Sequence, residues 1–410
     1  MNMKIVDSIM GSGKTEYIIN MMLNNPQYKY LYITPYLDEI NDRILPRCKS
    51  IDMMTPIFNG KNKKDNLFDL IYYNQNIATT HELFKQFDPS ICQLLKSKNY
   101  ILILDEALDV VEQYPIAKAD IDLLCQTNTI EIDENNIVNW ISENYKSNEI
   151  DKKTSLKFQE FKRDVLNGNI ICINNILFYW QFPVKVFKLF KESYILTYNF
   201  KYQIQKYYFD KFNVQYEYNS IKKIDNIYQL VDFYDITLNE KLNIKSLITI
   251  VEGKINDIGE RNYSLSMEWF KNKNGSFTKD KSQLKKNLLN YFYNICKESN
   301  KTKLWTVFSD YKDKFKDKGY SAGFLSCNTR ATNNYSDRYN LAYCINKCIN
   351  PLLKQYFDNN NISINEDGYA LTEMLQWIWR SSIRNGEKIK IYIPSKRMRE
   401  ILNKWLNNEL

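Results

Sequence analysis

The sequence predicts an α/β protein with two domains, each built on a parallel β-sheet flanked by helices. Short apolar strand candidates alternate with helical patterns over residues 1–110, and a second alternation of the same kind begins near residue 200. Between them, residues 111–190 follow a mostly helical and irregular pattern, which we interpret as an insertion in the first domain. We therefore expect a first domain at residues 1–200 and a second at 201–410.

The bulk composition is typical of a folded protein in a reducing compartment. Hydrophobic residues make up 44% of the 410-residue chain, and no apolar run is long enough to cross a bilayer. The first residues read as a strand and leave no room for a signal peptide. Eight cysteines without a CxxC pair and a single histidine argue against a zinc site. We expect a cytoplasmic protein with free thiols and no membrane partner.

The first element leads into a glycine-rich loop. A strand candidate at residues 3–6 precedes Ser-Ile-Met-Gly-Ser-Gly-Lys-Thr at residues 8–15, and a helical pattern follows at 16–23. This order is typical of a phosphate-binding loop (P-loop), although serine replaces the first consensus glycine. The glycines let backbone N–H groups surround phosphates, the lysine reaches the β- and γ-phosphates, and the threonine holds Mg²⁺. The residues predicted to bind a nucleoside triphosphate are Gly11, Ser12, Gly13, Lys14 and Thr15.

The strand candidate at residues 100–104 ends in two acidic residues, Asp105 and Glu106. In nucleoside triphosphatases an aspartate at this place orients Mg²⁺, and an adjacent glutamate polarises the attacking water. An acidic pair after a strand is, taken alone, just as often a helix cap. Because this pair follows a P-loop in an α/β pattern, we interpret Asp105 as a Mg²⁺ ligand beside Thr15, and Glu106 as the residue that positions water.

Polar residues also end two further strand candidates of the first domain. Thr34 and Pro35 end one of them, and Thr80 and His81 end the other. The carboxyl ends of parallel strands meet at one edge of a sheet, where ligands bind. Loops at such an edge can offer hydroxyl and N–H groups to a phosphate backbone without reading bases. Each pair taken alone is equally well a capped turn, and His81 alone a packing residue.

The second alternation ends in a segment with regularly spaced polar side chains. Gln376, Arg380 and Arg384 recur every four residues, so on one helix they would form a single polar stripe, which the pair Asn385-Gly386 would end. An arginine from a facing domain can stabilise charge on a γ-phosphate, and the alternative is a solvated basic face. The strand candidates in this half are residues 213–218, 246–251, 303–308, 321–326 and 388–393.

As an ordered set, these motifs resemble those of superfamily 2 helicases. The Asp-Glu-Ala-Leu of residues 105–108 resembles their DExx box, and residues 375–384 resemble motif VI. Residues 326–333 resemble a divergent motif V, with Ala331 where many relatives have glycine. The segments that resemble motifs Ia, Ib, III and IV are residues 32–37, 78–84, 195–198 and 304–308.

The resemblance implies two RecA-like domains that bind ATP and Mg²⁺ between them, with Gln376 facing the nucleotide. The usual second arginine of motif VI lies one position before Arg384, so Arg380 is the safer match. The residues implied to be catalytic are Lys14, Asp105, Glu106, Arg380 and Arg384. The residues implied to contact nucleic acid are Thr34, Pro35, Thr80, His81, Arg330, Thr332 and Asn333.

Over essentially its whole length the chain is similar to DEAD-like helicases encoded by bacteriophages of low-GC hosts. This likeness implies a role in phage DNA replication or recombination in the cytoplasm of the host cell, with replication proteins as partners. It implies single-stranded or forked DNA as the track, with RNA as the alternative. The net charge of +8 is compatible with a polyanionic partner.

Two other classes of protein share parts of this pattern. A terminase-like packaging ATPase has the P-loop and the acidic strand end, but it should add a nuclease domain with clustered aspartates, and the motif VI resemblance argues against it. A nucleotide-gated loader or origin-binding ATPase would grip DNA without separating strands. The divergent motif V and the lack of an upstream adenine-reading glutamine segment keep this second alternative open.

Overall fold

The computed structural model describes residues 2–58, 60, 62–141, 151–173, 177–271, 278–329 and 334–410, with the backbone alone at 151–157. Two mainly parallel sheets dominate these described residues, one of eight strands and one of four. Distinct clusters of buried apolar side chains cover the two faces of each sheet. The predicted α/β class with two RecA-like domains is therefore confirmed. Within the described parts of the chain, no helix is long and apolar enough to span a membrane.

The first unit begins with a regular alternation of strands and helices. Its strands are short and rich in isoleucine, leucine and tyrosine, and successive side chains enter opposite apolar clusters, as the two-residue period of a strand requires. These elements are β1 (Asn2–Asp7), α1 (Lys14–Asn24), β2 (Tyr30–Thr34), α2 (Leu37–Glu39), α3 (Leu45–Arg47), β3 (Met53–Met54), α4 (Lys63–Tyr72), β4 (Asn76–Thr80), α5 (His81–Lys85), α6 (Pro89–Lys96) and β5 (Ile101–Asp105).

The insertion between residues 111 and 190 contains strands as well as helices. Its elements are β6 (Val111–Gln113), α7 (Lys118–Gln126), β7 (Ile130–Ile132), β8 (Val138–Trp140), α8 (Asp151–Leu166), β9 (Ile170–Ile173) and β10 (Leu177–Gln181). In the described residues, β6, β10 and β9 form a small antiparallel sheet, and β7 pairs with β8. Helical residues still outnumber strand residues, but the sequence pattern did not predict these short strands.

The first unit extends beyond the predicted boundary at residue 200. After the insertion come β11 (Glu192–Thr197), α9 (Ile204–Lys211), β12 (Glu217–Ile224) and β13 (Ile227–Asp232). The strand order is β13-β12-β1-β11-β5-β2-β4-β3, and β12 pairs in parallel with β1. The predicted boundary is therefore wrong, because β12 completes the first sheet beside the P-loop strand and does not begin the second.

The second unit is a four-stranded parallel sheet in the described residues. Its strand order is β14 (Ile248–Ile250), β17 (Ile389–Tyr392), β16 (Asn340–Tyr343) and β15 (Lys303–Thr306). The strand predicted at 321–326 is instead a 3-10 turn at Ser321–Gly323 followed by a single bridge, and β16 occupies the interior of the sheet. The elements are α10 (Leu238–Leu247), β14 (Ile248–Ile250), α11 (Met267–Phe270), α12 (Lys279–Asn290), β15 (Lys303–Thr306), α13 (Lys312–Phe315), β16 (Asn340–Tyr343), α14 (Pro351–Asp358), α15 (Glu366–Ile378), β17 (Ile389–Tyr392) and α16 (Lys396–Leu406).

Candidate functional site

The P-loop joins β1 to α1 at the carboxyl edge of the first sheet. Gly11 and Gly13 have φ angles of 83° and 93°, in the left-handed region that favours glycine. A Cβ atom on Gly13 would also lie 2.2 Å from the ring of Tyr228. The loop conformation therefore needs both glycines, and it aims the N-terminus of α1 toward the space above the sheet edge.

Lys14 is held by the first residues of its own loop. Its Nζ donates to the carbonyl oxygens of Ser8, at 2.5 Å, and Ile9, at 3.1 Å. Burial lowers the pKa of the ammonium, and the carboxylates of Glu106, Asp7 and Asp105 oppose that shift. The side chain therefore lies among three carboxylates, and its present acceptors are neutral backbone oxygens.

The acidic pair ends the strand two places away from β1. The hydroxyl of Tyr32 donates to Oδ2 of Asp105 at 2.5 Å, and burial raises the pKa of Asp105 to about 7. Glu106 has a φ of 73°, and its N–H donates to the carbonyl oxygen of Leu196 on β11 at 2.9 Å. The left-handed backbone at Glu106 directs its side chain away from the strand and toward the second unit. There, Oε1 of Glu106 lies 3.7 Å from Nη2 of Arg380.

The predicted polar stripe does not lie on a single helix. Gln376 belongs to α15, which ends at Ile378, and Arg384 belongs to a 3-10 turn at Ser382–Asn385. The helix stops because the Ser381 hydroxyl donates to the Ile378 carbonyl oxygen at 2.6 Å, and the next residue's N–H pairs with a carbonyl outside the helix. Both arginines nevertheless face the P-loop, whereas Gln376 is buried away from it.

These side chains meet in a cavity of about 200 Å³ between the two units, which we call the cleft cavity. It is lined by Met10, Gly11, Gly13, Lys14, Thr15, Glu16, Glu39, Arg43, Asp105, Glu106, Tyr228, Arg380 and Arg384. Most of the residues predicted to bind nucleotide or to act in catalysis are thus brought together. Ser12 and Gln376 are not part of this lining, and Ser12 instead lines a separate, mostly apolar cavity together with Ser8 and Ile9.

Five lining residues were not predicted from the sequence: Met10, Glu16, Glu39, Arg43 and Tyr228. Arg43 donates to Glu39 at 2.8 Å and to Glu16 at 2.9 Å, which ties α1 to the π-helical segment Ile40–Ile44. The i,i+4 spacing of Glu39 and Arg43 was a usable sequence signal. No sequence signal indicated Tyr228, because its position on β13 depends on the pairing of β12 with the distant strand β1.

The residues predicted to contact nucleic acid are only partly accessible. Thr34 and His81 are 0% and 6% exposed, so neither side chain can contact a strand in this conformation, and the prediction of direct contact is wrong for both. Thr80 caps α5 by accepting the N–H of Leu83 at 3.4 Å, and Pro35 is half-buried. The predicted residues Arg330, Thr332 and Asn333 lie outside the described residues.

The donor set of the cleft cavity fits a hard divalent cation. Thr15 offers a hydroxyl, and Asp105 and Glu106 offer carboxylates, so the available donors are all oxygen, as Mg²⁺ prefers. No cluster of three or more His, Cys, Asp or Glu side chains is arranged to hold a metal in the parts of the chain that the structure describes. A cation here would therefore complete its shell with water and phosphate oxygens, which is the usual habit of Mg²⁺.

The strand order and the cleft cavity define a P-loop protein with two RecA-like domains. The chain is 41% identical over 415 residues to the SPbeta prophage-derived protein YonV of Bacillus subtilis (strain 168), covering 99% of each. It belongs to the YonV family. Its residues 111–180 match the model of the YonV middle domain, and residues 242–406 match that of the YonV C-terminal Rossmann-like domain.

Two solved structures resemble the chain at low sequence identity. The structure titled "XPD_Helicase" has a TM-score of 0.47 and 10% identity, and it covers 100% of this chain and 95% of that one. The "Structure of S. tokodaii Xpd4" has a TM-score of 0.44 and 13% identity, with 98% and 94% covered. These likenesses concern the chain fold alone.

Proposed function

We propose that this protein is a Mg²⁺-dependent ATPase of superfamily 2 that unwinds nucleic acid or moves along it. One observation carries the proposal: the P-loop and the acidic strand end of one unit share a cavity with two arginines of the other. A site divided between two units can close on ATP and open after hydrolysis. That change moves the units relative to each other, which is what a motor requires.

The first unit would bind the phosphates. The α1 N-terminus and the P-loop amides would receive the β-phosphate, and Lys14 would exchange its bonds to Ser8 and Ile9 for bonds to phosphate oxygens. Thr15 and Asp105 would hold Mg²⁺, which when bound neutralises phosphate charge. Deprotonation of Asp105, whose pKa burial raises to about 7, would accompany that binding.

Hydrolysis would be shared between the two units. Glu106 would orient the attacking water and accept its proton, and Arg380 would stabilise the charge that develops on the γ-phosphate. The two side chains already lie 3.7 Å apart across the cleft. Without nucleotide they partly neutralise each other. An inserted γ-phosphate would draw Arg380 toward its own oxygens and release the glutamate for water.

The track that we propose is single-stranded or forked DNA, with RNA as the alternative. The net charge of +8 supports binding to a phosphate backbone. The relationship to a prophage-derived protein supports a role in phage DNA replication or recombination beside replication proteins, in the cytoplasm of the host. The motif-based contact residues need revision, because Thr34 and His81 are buried.

That burial favours a second candidate function, a nucleotide-gated DNA loader or origin-binding ATPase. Such a protein would use the same cleft cavity but would hold DNA without advancing along it, so it would not need a row of exposed contacts at the ends of β2 and β4. A strand-displacement assay separates the two candidates, since only the helicase releases the displaced strand.

ATP turnover with and without single-stranded DNA tests the proposal. The assay compares the wild type with Lys14→Ala and with the control Lys96→Ala, whose exposed side chain lies in the last turn of α6. We expect DNA-stimulated turnover in the wild type and the control, and its loss in Lys14→Ala. Equal rates in all three proteins, or no turnover in a folded wild type, would contradict the proposal.

A further inference from the structure

The β12–β13 hairpin extends past the edge of the sheet beside the P-loop. Val6 of β1 lies opposite Asn219, and β12 continues to Ile224 while β1 ends at Asp7. The chain turns through Asp225 and Asn226, both with positive φ, and returns as β13. The Ile221 N–H donates to Oγ of Ser8 at 2.8 Å, which fixes the hairpin to the base of the loop.

The hairpin places one aromatic ring on the P-loop. Tyr228 lies opposite Lys223 in the hairpin and is half-buried, and its ring packs directly on Gly13. The ring lies so close that the Cβ of any other residue at position 13 would overlap it. Among the described residues that line the cleft cavity, Tyr228 is the only aromatic one.

The other walls of the cleft cavity suit phosphate and cation, not a base. Asp105 and Glu106 form the wall on the β5 side, and the arginines of the second unit face the loop. The hairpin lies on the opposite flank of β1 from β5, because the strand order runs β12-β1-β11-β5. A nucleotide whose phosphates lie between the acids and the arginines thus has its uncharged part nearest to Tyr228.

We propose that the ring of Tyr228 is the surface on which the nucleobase of the bound nucleoside triphosphate stacks. This inference rests on the proposed function, since it concerns the same bound nucleotide. Stacking uses the π-face that every base presents, so it adds affinity without selecting one base. Tyr228 therefore strengthens the binding of ATP and GTP alike and fixes where the base lies relative to the P-loop.

Binding of ATP, GTP and inorganic tripolyphosphate, measured by calorimetry, tests this assignment. Tripolyphosphate carries the phosphate chain without a base, so it reports the P-loop alone. We expect Tyr228→Ala to weaken ATP and GTP binding by roughly tenfold or more and to leave tripolyphosphate unchanged. Tyr228→Phe keeps the ring and should bind all three within roughly twofold of the wild type. Tyr263→Ala, a change at an exposed tyrosine of the second unit, is the matched control.

Three results would overturn the inference in distinguishable ways. Equal losses for ATP and tripolyphosphate in Tyr228→Ala would mean that the ring only supports the loop. Unchanged ATP binding in that variant, with Lys14→Ala still abolishing it, would locate the base elsewhere and leave the proposed function intact. A folded wild type that binds none of the three ligands would overturn both.

Discussion

Asp7 is a buried carboxylate that holds the end of the P-loop strand to its neighbour. Its two oxygens accept the N–H groups of Asn199 and Phe200, each at 2.8 Å, just beyond β11. Burial raises its pKa to about 6, although both backbone hydrogen bonds act in the other direction. The residue thus fixes the start of the loop, and its ionisation is unfavourable.

This raised pKa predicts that stability falls as pH rises between about pH 4 and pH 6. In that window the folded protein keeps a proton that the unfolded chain, with an aspartate pKa near 3.9, releases. Since the folded pKa is the higher one, the loss is complete above pH 6, and it amounts to about 3 kcal/mol. Asp7→Asn should remove the share of this dependence that comes from Asp7 and leave the share of Asp105, whose pKa burial raises to about 7. The measurement is the change in urea midpoint between pH 4 and pH 6.5.

For Asp7→Asn, the quantity to compare with the wild type is the change of the urea midpoint with pH, not the midpoint at one pH. Asparagine cannot accept both N–H groups, so the variant is less stable than the wild type at every pH. Asp122→Asn, at an exposed position on α7, is the control and should keep the wild-type slope. A slope in Asp7→Asn as large as that of the wild type would mean that another group titrates.

The two arginines of the cleft cavity should differ in their effect on catalysis. Both line the cavity, but Arg380 is buried and lies beside Glu106, whereas Arg384 is half-buried. Burial and the nearby Arg380 lower the pKa of Arg384. We expect Arg380→Ala to reduce kcat for ATP by roughly 1,000-fold, as loss of a transition-state arginine does. Arg384→Ala should mainly raise KM.

Steady-state ATPase measurements on both variants separate these effects, since a group used only in the transition state lowers kcat with little change in KM. Arg261→Ala, at an exposed position of the second unit, should match the wild type. If Arg384→Ala showed the larger fall in kcat, the transition-state role would belong to Arg384 instead.

At the scale of elements, α15 is tied to the second sheet by an ion pair whose side chains are 12% and 11% exposed. Nζ of Lys347, shortly after β16, lies 3.2 Å from a carboxylate oxygen of Glu373 on α15 and also donates to Asn328 at 2.9 Å. Burial tends to lower the pKa of Lys347, but Glu373 reverses this and holds the pKa well above its usual range. Because Arg380 follows shortly after α15, this ion pair helps to fix the position of Arg380.

Removing one partner of this pair should lower the stability of the protein more than replacing both partners by apolar residues. We expect Lys347→Met to lower the free energy of unfolding by about 3 kcal/mol at most, because it removes the cation beside a largely buried carboxylate. The double variant Lys347→Met, Glu373→Leu should recover most of that loss, since apolar groups of similar volume need no partner. The measurement is a double-mutant cycle in urea.

The exposed ion pair of Lys316 and Asp313 is the control for this cycle. We expect Lys316→Met to lower the free energy of unfolding by less than about 1 kcal/mol. Simple addition of the two single losses at Lys347 and Glu373 would contradict the coupling. In that case each side chain would contribute through its own packing.

An element could be predicted from the sequence when the residues that determine it are close together in the chain. The glycine loop and the acidic end of β5 carry their signals within a few residues, so both were predicted. Strand β12 was recognised as a strand but assigned to the wrong unit, because its partner β1 lies more than two hundred residues away. The end of α15 was missed because it depends on a hydrogen bond between Ser382 and Arg338.

At the scale of the whole molecule, the cleft cavity requires both units to be in place. The P-loop and the acids belong to the first sheet, and the arginines belong to a turn after α15, so neither unit alone contains the complete site. A ligand that contacts both units favours the arrangement in which they are close. Any surface that spans the two units then changes its shape with the state of the nucleotide.

This arrangement predicts a reciprocal coupling between nucleotide and DNA. In Glu106→Gln, which should bind ATP without hydrolysing it, the affinity for single-stranded DNA should differ between the ATP and ADP states by roughly 5- to 150-fold. Fluorescence anisotropy at fixed salt measures it, since phosphate contacts weaken steeply as salt rises. By linkage, DNA must change the preference for ATP over ADP by the same factor.

The control variant Lys14→Ala should show one DNA affinity in every nucleotide condition. Equal affinities in Glu106→Gln, with ATP bound, would mean that the two units do not transmit the state of the cleft cavity, and the motor interpretation would fail even if the ATPase were real.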